Sequence, residues 1–166
     1  MIIRKRQHRY QVFLMKHQGE HYNLKEIFDR VNVLYFENKI DLKLQWFGSK
    51  SFVPRRRILL GSYHKNKGLI KIHRLLDRAH VPDYFITYIM YHEMLHHVEP
   101  PIERWGQRRR IHHKGFHTRE QEFQEYALAQ EFRKTIRDEW FQPERVVRRR
   151  RVTKRGILRR IINIFS

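Results

Sequence analysis

Pro82-Asp83-Tyr84-Phe85-Ile86-Thr87-Tyr88-Ile89-Met90-Tyr91-His92-Glu93-Met94-Leu95-His96-His97 is the stretch from which the rest of the chain can be read. Pro82 and Asp83 make a helix start, because proline suits the first turn and an acid there meets the positive end of the helix dipole. Phe85, Ile86, Ile89 and Met90 recur at the spacing of a buried helical face. Pro100-Pro101 stop the helix just after His97. Within it, four steps of ~100° return His96 to within ~40° of His92, so two imidazoles leave one face a turn apart. Such a pair can grip one Zn²⁺, and Glu93 between them can reach a metal-bound water as general base.

Zinc that keeps an open position needs a third protein ligand. The longer pattern H-E-x-x-H-x-x-G-x-x-H is not met, since Glu99 and Ile102 stand where its glycine and last histidine would be. The next candidates are His112, His113 and His117, with Glu120, Glu122 and Glu125 as carboxylates further along. Spacing alone leaves these alternatives open.

The residues around the motif add a likeness. Leu24 to Phe36 read as a helix, Leu42-Lys43-Leu44-Gln45-Trp46 as a strand ending in Trp, and a hairpin then leads into the H-E-x-x-H helix. A histidine with an aromatic four residues later follows, at His112 and Phe116. In this order the chain resembles the SprT-like family of zinc metallopeptidases over about residues 23 to 135. The resemblance implies a zincin-like α+β metalloprotease fold with a short antiparallel sheet. It also implies Zn²⁺ on His92, His96 and His112, with His113 and then His117 as the next choices for third ligand. Glu93 would be the catalytic base of a metalloendopeptidase. The family includes a protease of DNA–protein crosslinks, so the resemblance extends to substrates that are DNA-associated proteins. Two departures stand out. Many members carry a Cys zinc ribbon, whereas this chain has no Cys, and His113, Lys114 and Gly115 replace the family's glycine and acid after the third histidine.

Composition bounds the alternatives. At 166 residues the chain is long enough for one domain, expected over 23–141, between a basic segment 1–22 and a basic tail 142–166. The absence of Cys excludes disulfides, thiolate ligands and thiol catalysis. No run approaches the ~20 apolar residues of a membrane span, and Val12-Phe13-Leu14-Met15 is too short for a signal segment, so a cytoplasmic location is expected. The formal charge is +19. Residues 145–166 contribute Arg145, Arg148 to Arg151, Lys154, Arg155, Arg159 and Arg160 without one acid, and Arg55 to Arg57 and Arg108 to Arg110 lie within the domain. So much arginine points to DNA or RNA as partner, because neutralising phosphates releases counterions. Ile157 to Phe165 could instead lie on an anionic membrane or fold back on the domain.

Periodicity supplies the remaining expectations. A helix over 23–38 should bury Leu24, Ile27, Phe28, Val31, Leu34 and Tyr35. Strands are expected at 42–47, 57–62 and 68–73, the last two joined through 64–67, with His64 and His73 at the surface or in structural roles. A single helix over 114–138 should bury Phe116, Phe123, Ala127 and Phe132. Trp105, beside Arg104 and Arg108, is expected to pack its loop onto the domain, the alternative being a stacking platform for a nucleobase. The rival to a peptidase is a non-catalytic nucleic-acid-binding module with structural zinc.

Overall fold

The computed structural model describes residues 17–51, 58–103, 105–106 and 108–141, with side chains through residue 136. The expectations for residues 1–16, Arg55 to Arg57, Arg104 and the tail 142–166 lie outside the described residues.

Helix α1, Leu24–Phe36, starts where Asn23 accepts a hydrogen bond from the Lys25 amide at 3.0 Å. It ends without glycine: Glu37 and Asn38 both take left-handed φ angles, 54° and 57°. The buried Asn32 amide makes this turn possible. Its nitrogen donates to Ile40 O at 2.7 Å and its oxygen accepts from Ile40 N at 3.1 Å, as a neighbouring backbone would. The core stripe of α1 therefore runs through Leu24, Ile27, Phe28, Val31, Asn32 and Phe36. Leu34, expected inside, is exposed instead.

Strands β1 (Lys43–Phe47), β2 (Gly61–His64) and β3 (Leu69–His73) form one sheet in the order β1-β3-β2. β2 and β3 are antiparallel, pairing His64 with Leu69 across a 3-10 turn at Lys65–Lys67. β1 and β3 are parallel, with Leu44 opposite Ile70 and Trp46 opposite Ile72. The sheet is thus mixed, not antiparallel as expected, because β3 inserts between its two predecessors. β2 also starts later than expected, at Gly61. His73 is buried, accepting from the Leu75 amide at 3.1 Å to cap the turn Arg74–Leu76. Gly48 (φ 74°) lies against that ring, where a Cβ would come within 2.2 Å of Nε2.

Helix α2, Asp83–Val98, is the hub. Its apolar residues face every direction: Phe85, Ile86, Tyr88, Ile89, Met90, Tyr91, Met94 and Leu95 are all buried. A helix apolar all round must be covered all round, and α2 is covered by α1, by β2 and β3, and by helices α3 (Lys114–Glu120) and α4 (Tyr126–Phe141). Two helices replace the single one expected over 114–138. Phe123 is the physical reason: it turns inward between them to sit 5.5–5.7 Å from the rings of Tyr35, Tyr88 and Tyr91. Beyond this break the helical face is reset, so Ala129 and Ile136 are buried and Ala127 is exposed. The fold is α+β, with four helices and a three-stranded mixed sheet among the described residues. No helix among them is long and apolar enough to cross a membrane.

Residues 17–22 are tied to this body by Asp77, which is fully buried. Its carboxylate accepts from the backbone amides of Glu20, His21 and Tyr22 at 2.8, 2.8 and 3.2 Å, and pairs with Lys50 at 2.9 Å. Four donors around one carboxylate offset the cost of its burial.

Candidate metal centre

His92 and His96 leave α2 one turn apart, with ring centroids separated by 4.9 Å. After the helix, Ile102 and Arg110 exchange backbone hydrogen bonds of 3.0 and 3.1 Å and fold the loop between them into a hairpin. That closure returns the chain to α2, so His112 lies 5.1 Å from His92 and 4.9 Å from His96, centroid to centroid. Phe116, fully buried, packs against all three rings at 4.7–5.1 Å. The donor atoms of His92, His96 and His112 all lie within 4.8 Å of one another.

The donor chemistry fits a metal ion. Nitrogens held at ~2.05 Å by one tetrahedral ion stand ~3.3 Å apart, and His112 Nε2 lies 3.2 Å from His96 Nε2. Burial, with the neighbouring His92 and His112 rings, lowers the pKa of His96 to about 3. Burial and His92 lower that of His112 as well. At neutral pH these nitrogens offer lone pairs, the form a metal takes. These three histidines could hold a metal ion.

The other candidate ligands are engaged elsewhere. His113 Nδ1 accepts from the Phe116 amide and so caps α3, while its Nε2 faces Glu99 at 3.8 Å. His117 is exposed and directs Nδ1 to Glu120 at 3.3 Å. Glu122 is exposed and Glu125 half-buried, and neither joins the cluster. Glu120 is buried behind His92: Oε1 accepts from His92 Nδ1 at 2.7 Å and from Tyr88 OH at 2.7 Å. Although burial works against it, these bonds and that from His117 hold its carboxyl down at about 2.

Glu93 points to the opposite side, towards β2, and is 5% exposed. Burial lifts its carboxyl to about 7, against the opposing pull of His92 and of a hydrogen bond from the Tyr63 amide. Gly61 makes this position possible, since a Cβ there would fall 2.5 Å from Glu93 Oε1. Neither Gly61 nor Tyr63 was singled out from sequence. The available signal was a glycine at a strand position, which often marks close approach of another group.

Glu93 and the three histidines line one cleft of about 420 Å³, walled by β2 on one side and by Pro101, Arg109 and Ile111 on the other. Among the described residues, Lys65 and Arg109 are the cations lining it. Trp105 does not pack against the domain: it is fully exposed at the hairpin turn, and Arg108, Arg109 and Arg110 beside it are exposed too. No family model, curated protein or solved structure matches the chain.

Proposed function

We propose that this chain is a zinc-dependent endopeptidase of the zincin-like, SprT-like kind. The observation that carries the proposal is a buried carboxyl, Glu93, sharing a cleft with three converging imidazoles. His92, His96 and His112 would hold the zinc, which as a Lewis acid makes water acidic near neutral pH and polarises a carbonyl. Glu93, poised near 7, takes the proton from the attacking water and hands it to the leaving amine. The Tyr63 amide and the lack of a side chain at Gly61 keep that carboxyl in place. Among the described residues β2 pairs on one side only, so its outer edge can hold an extended peptide as a further strand along the cleft.

Proteins bound to DNA are the proposed substrates. The net charge of +19, the exposed arginines 108–110 and the fully exposed Trp105 support this part of the reading. A non-catalytic zinc module is less favoured, because a closed structural site has no use for a buried carboxyl poised near neutrality. The test is cleavage of a DNA-bound protein at low salt by wild type and Glu93→Gln, with and without added DNA. Cleavage stimulated by DNA and abolished by the substitution supports the proposal. Equal activity of the two proteins refutes the peptidase reading, and indifference to DNA removes the substrate class.

A further inference from the structure

We infer that Glu120 is a positioning residue for the metal centre, fixing the His92 ring so that Nε2 is presented to the ion. The inference rests on the reading of His92 as a ligand. A neutral imidazole carries one proton, on either nitrogen, and only the other nitrogen can bind a metal. Glu120 Oε1 lies 2.7 Å from His92 Nδ1. An ionised carboxylate only accepts hydrogen bonds, so the proton belongs on Nδ1 and the lone pair on Nε2.

The carboxylate is itself held in place by a hydrogen-bond chain that spans three helices. Tyr88 OH donates to Oε1 at 2.7 Å, and Gln130 Nε2 donates to that hydroxyl at 2.8 Å. His117 Nδ1 reaches Oε2 at 3.3 Å. Gln130 on α4, Tyr88 on α2 and Glu120 on α3 therefore form a continuous chain of hydrogen bonds ending on the ligand ring. Glu120 is not one of the converging donors, which come from His92, His96 and His112. Its sequence position agrees: His112, Phe116 and Glu120 are each four apart. The helical pair thereby places a packing aromatic and a buried acid on one face of α3.

The same arrangement predicts that ligand orientation is separable from ligand identity. Removing the acid should leave three histidines present but one of them free to rotate and to change tautomer. Losing such a partner lowers metal affinity about 10- to 100-fold in comparable sites.

The experiment compares wild type, Glu120→Ala, Glu120→Gln and Tyr88→Phe, each checked for folding by circular dichroism. Nitrogen-15 NMR of the histidine rings in metal-free protein reads which nitrogen of His92 carries the proton. Competition with a chromophoric chelator, with zinc alone as the probe, reads affinity. Wild type should show His92 protonated on Nδ1. Glu120→Ala should lose that preference and bind zinc about 10- to 100-fold more weakly. Glu120→Gln keeps the shape and an acceptor oxygen, so it should fall between the two, and Tyr88→Phe should keep the Nδ1 proton. An unchanged His92 tautomer and unchanged zinc affinity in Glu120→Ala would overturn the inference. Failure of wild type to bind zinc would instead overturn the ligand reading, and the two results cannot be confused.

Discussion

The two sides of α2 treat the same functional group in opposite ways. Glu93 on the β2 side and Glu120 on the α3 side are each only 5% exposed. Glu93 has a glycine beside it and one amide donor, so burial dominates and its carboxyl rises to about 7. Glu120 collects hydrogen bonds from His92, Tyr88 and His117, which outweigh burial and hold it at about 2. The charge of each carboxylate is set by how strongly its surroundings desolvate it and by how many donors are aimed at it, and Glu120 has the more donors. One acid is thereby suited to exchange a proton near neutral pH, and the other to remain an anion.

The largest expected effect comes from removing the proton-exchanging side of this pair. Glu93→Gln should lower peptide hydrolysis by about 10²–10⁴-fold while zinc content is unchanged, as turnover assays and elemental analysis would show. A comparable loss of zinc would mean that Glu93 is a ligand, and the contrast would break.

Crowding the same carboxyl should come next. Gly61→Ala puts a methyl group 2.5 Å from Oε1. It should cost about 1–3 kcal/mol in urea unfolding and displace Glu93, so activity should fall as well. Unchanged stability and activity would show that the approach of β2 is not needed.

The pH dependence of stability sharpens the contrast between the two acids. In chelator-stripped protein, Glu93 binds its proton more tightly when folded than at its ordinary 4.5. Its contribution therefore declines as pH rises from 4.5 through about 7, by about 3 kcal/mol at most. Glu93→Gln should remove that decline. Glu120 runs the other way: its contribution is present above 4.5 and is lost as pH falls towards about 2. Unfolding curves of each glutamine variant against wild type across pH 3–8 would check both signs.

The smallest effect on stability is expected at the hairpin. Trp105→Ala removes a fully exposed side chain, so stability should stay within about 0.5 kcal/mol. Binding to single-stranded DNA at low salt, followed by fluorescence anisotropy, should weaken by about 1–3 kcal/mol if a base stacks there.

These features differed in how visible they were along the chain. The uninterrupted apolar run of α2 and the i, i+4 placement of His92 and His96 are local properties, legible without any tertiary knowledge. The stripe of α1 was mostly legible, but Asn32 displaced Leu34 because a polar residue was needed inside to turn the chain at Ile40. The order of strands was not legible, since alternation marks which face of a strand is buried and is silent about its neighbours. The break between α3 and α4 depends on the aromatic pocket that receives Phe123, which only the assembled fold creates. Among the candidate ligands, His112 and His113 are adjacent in sequence. What separates them is that α3 needs a cap, and His113 supplies it.

The most direct measurement of the central claim is zinc content by elemental analysis of wild type, His112→Ala and His113→Ala. Retention of about one zinc ion per chain in wild type and in His113→Ala, with loss in His112→Ala, is the predicted result. A wild-type chain without bound metal, or one that loses it with His113 and keeps it without His112, would contradict the site described above.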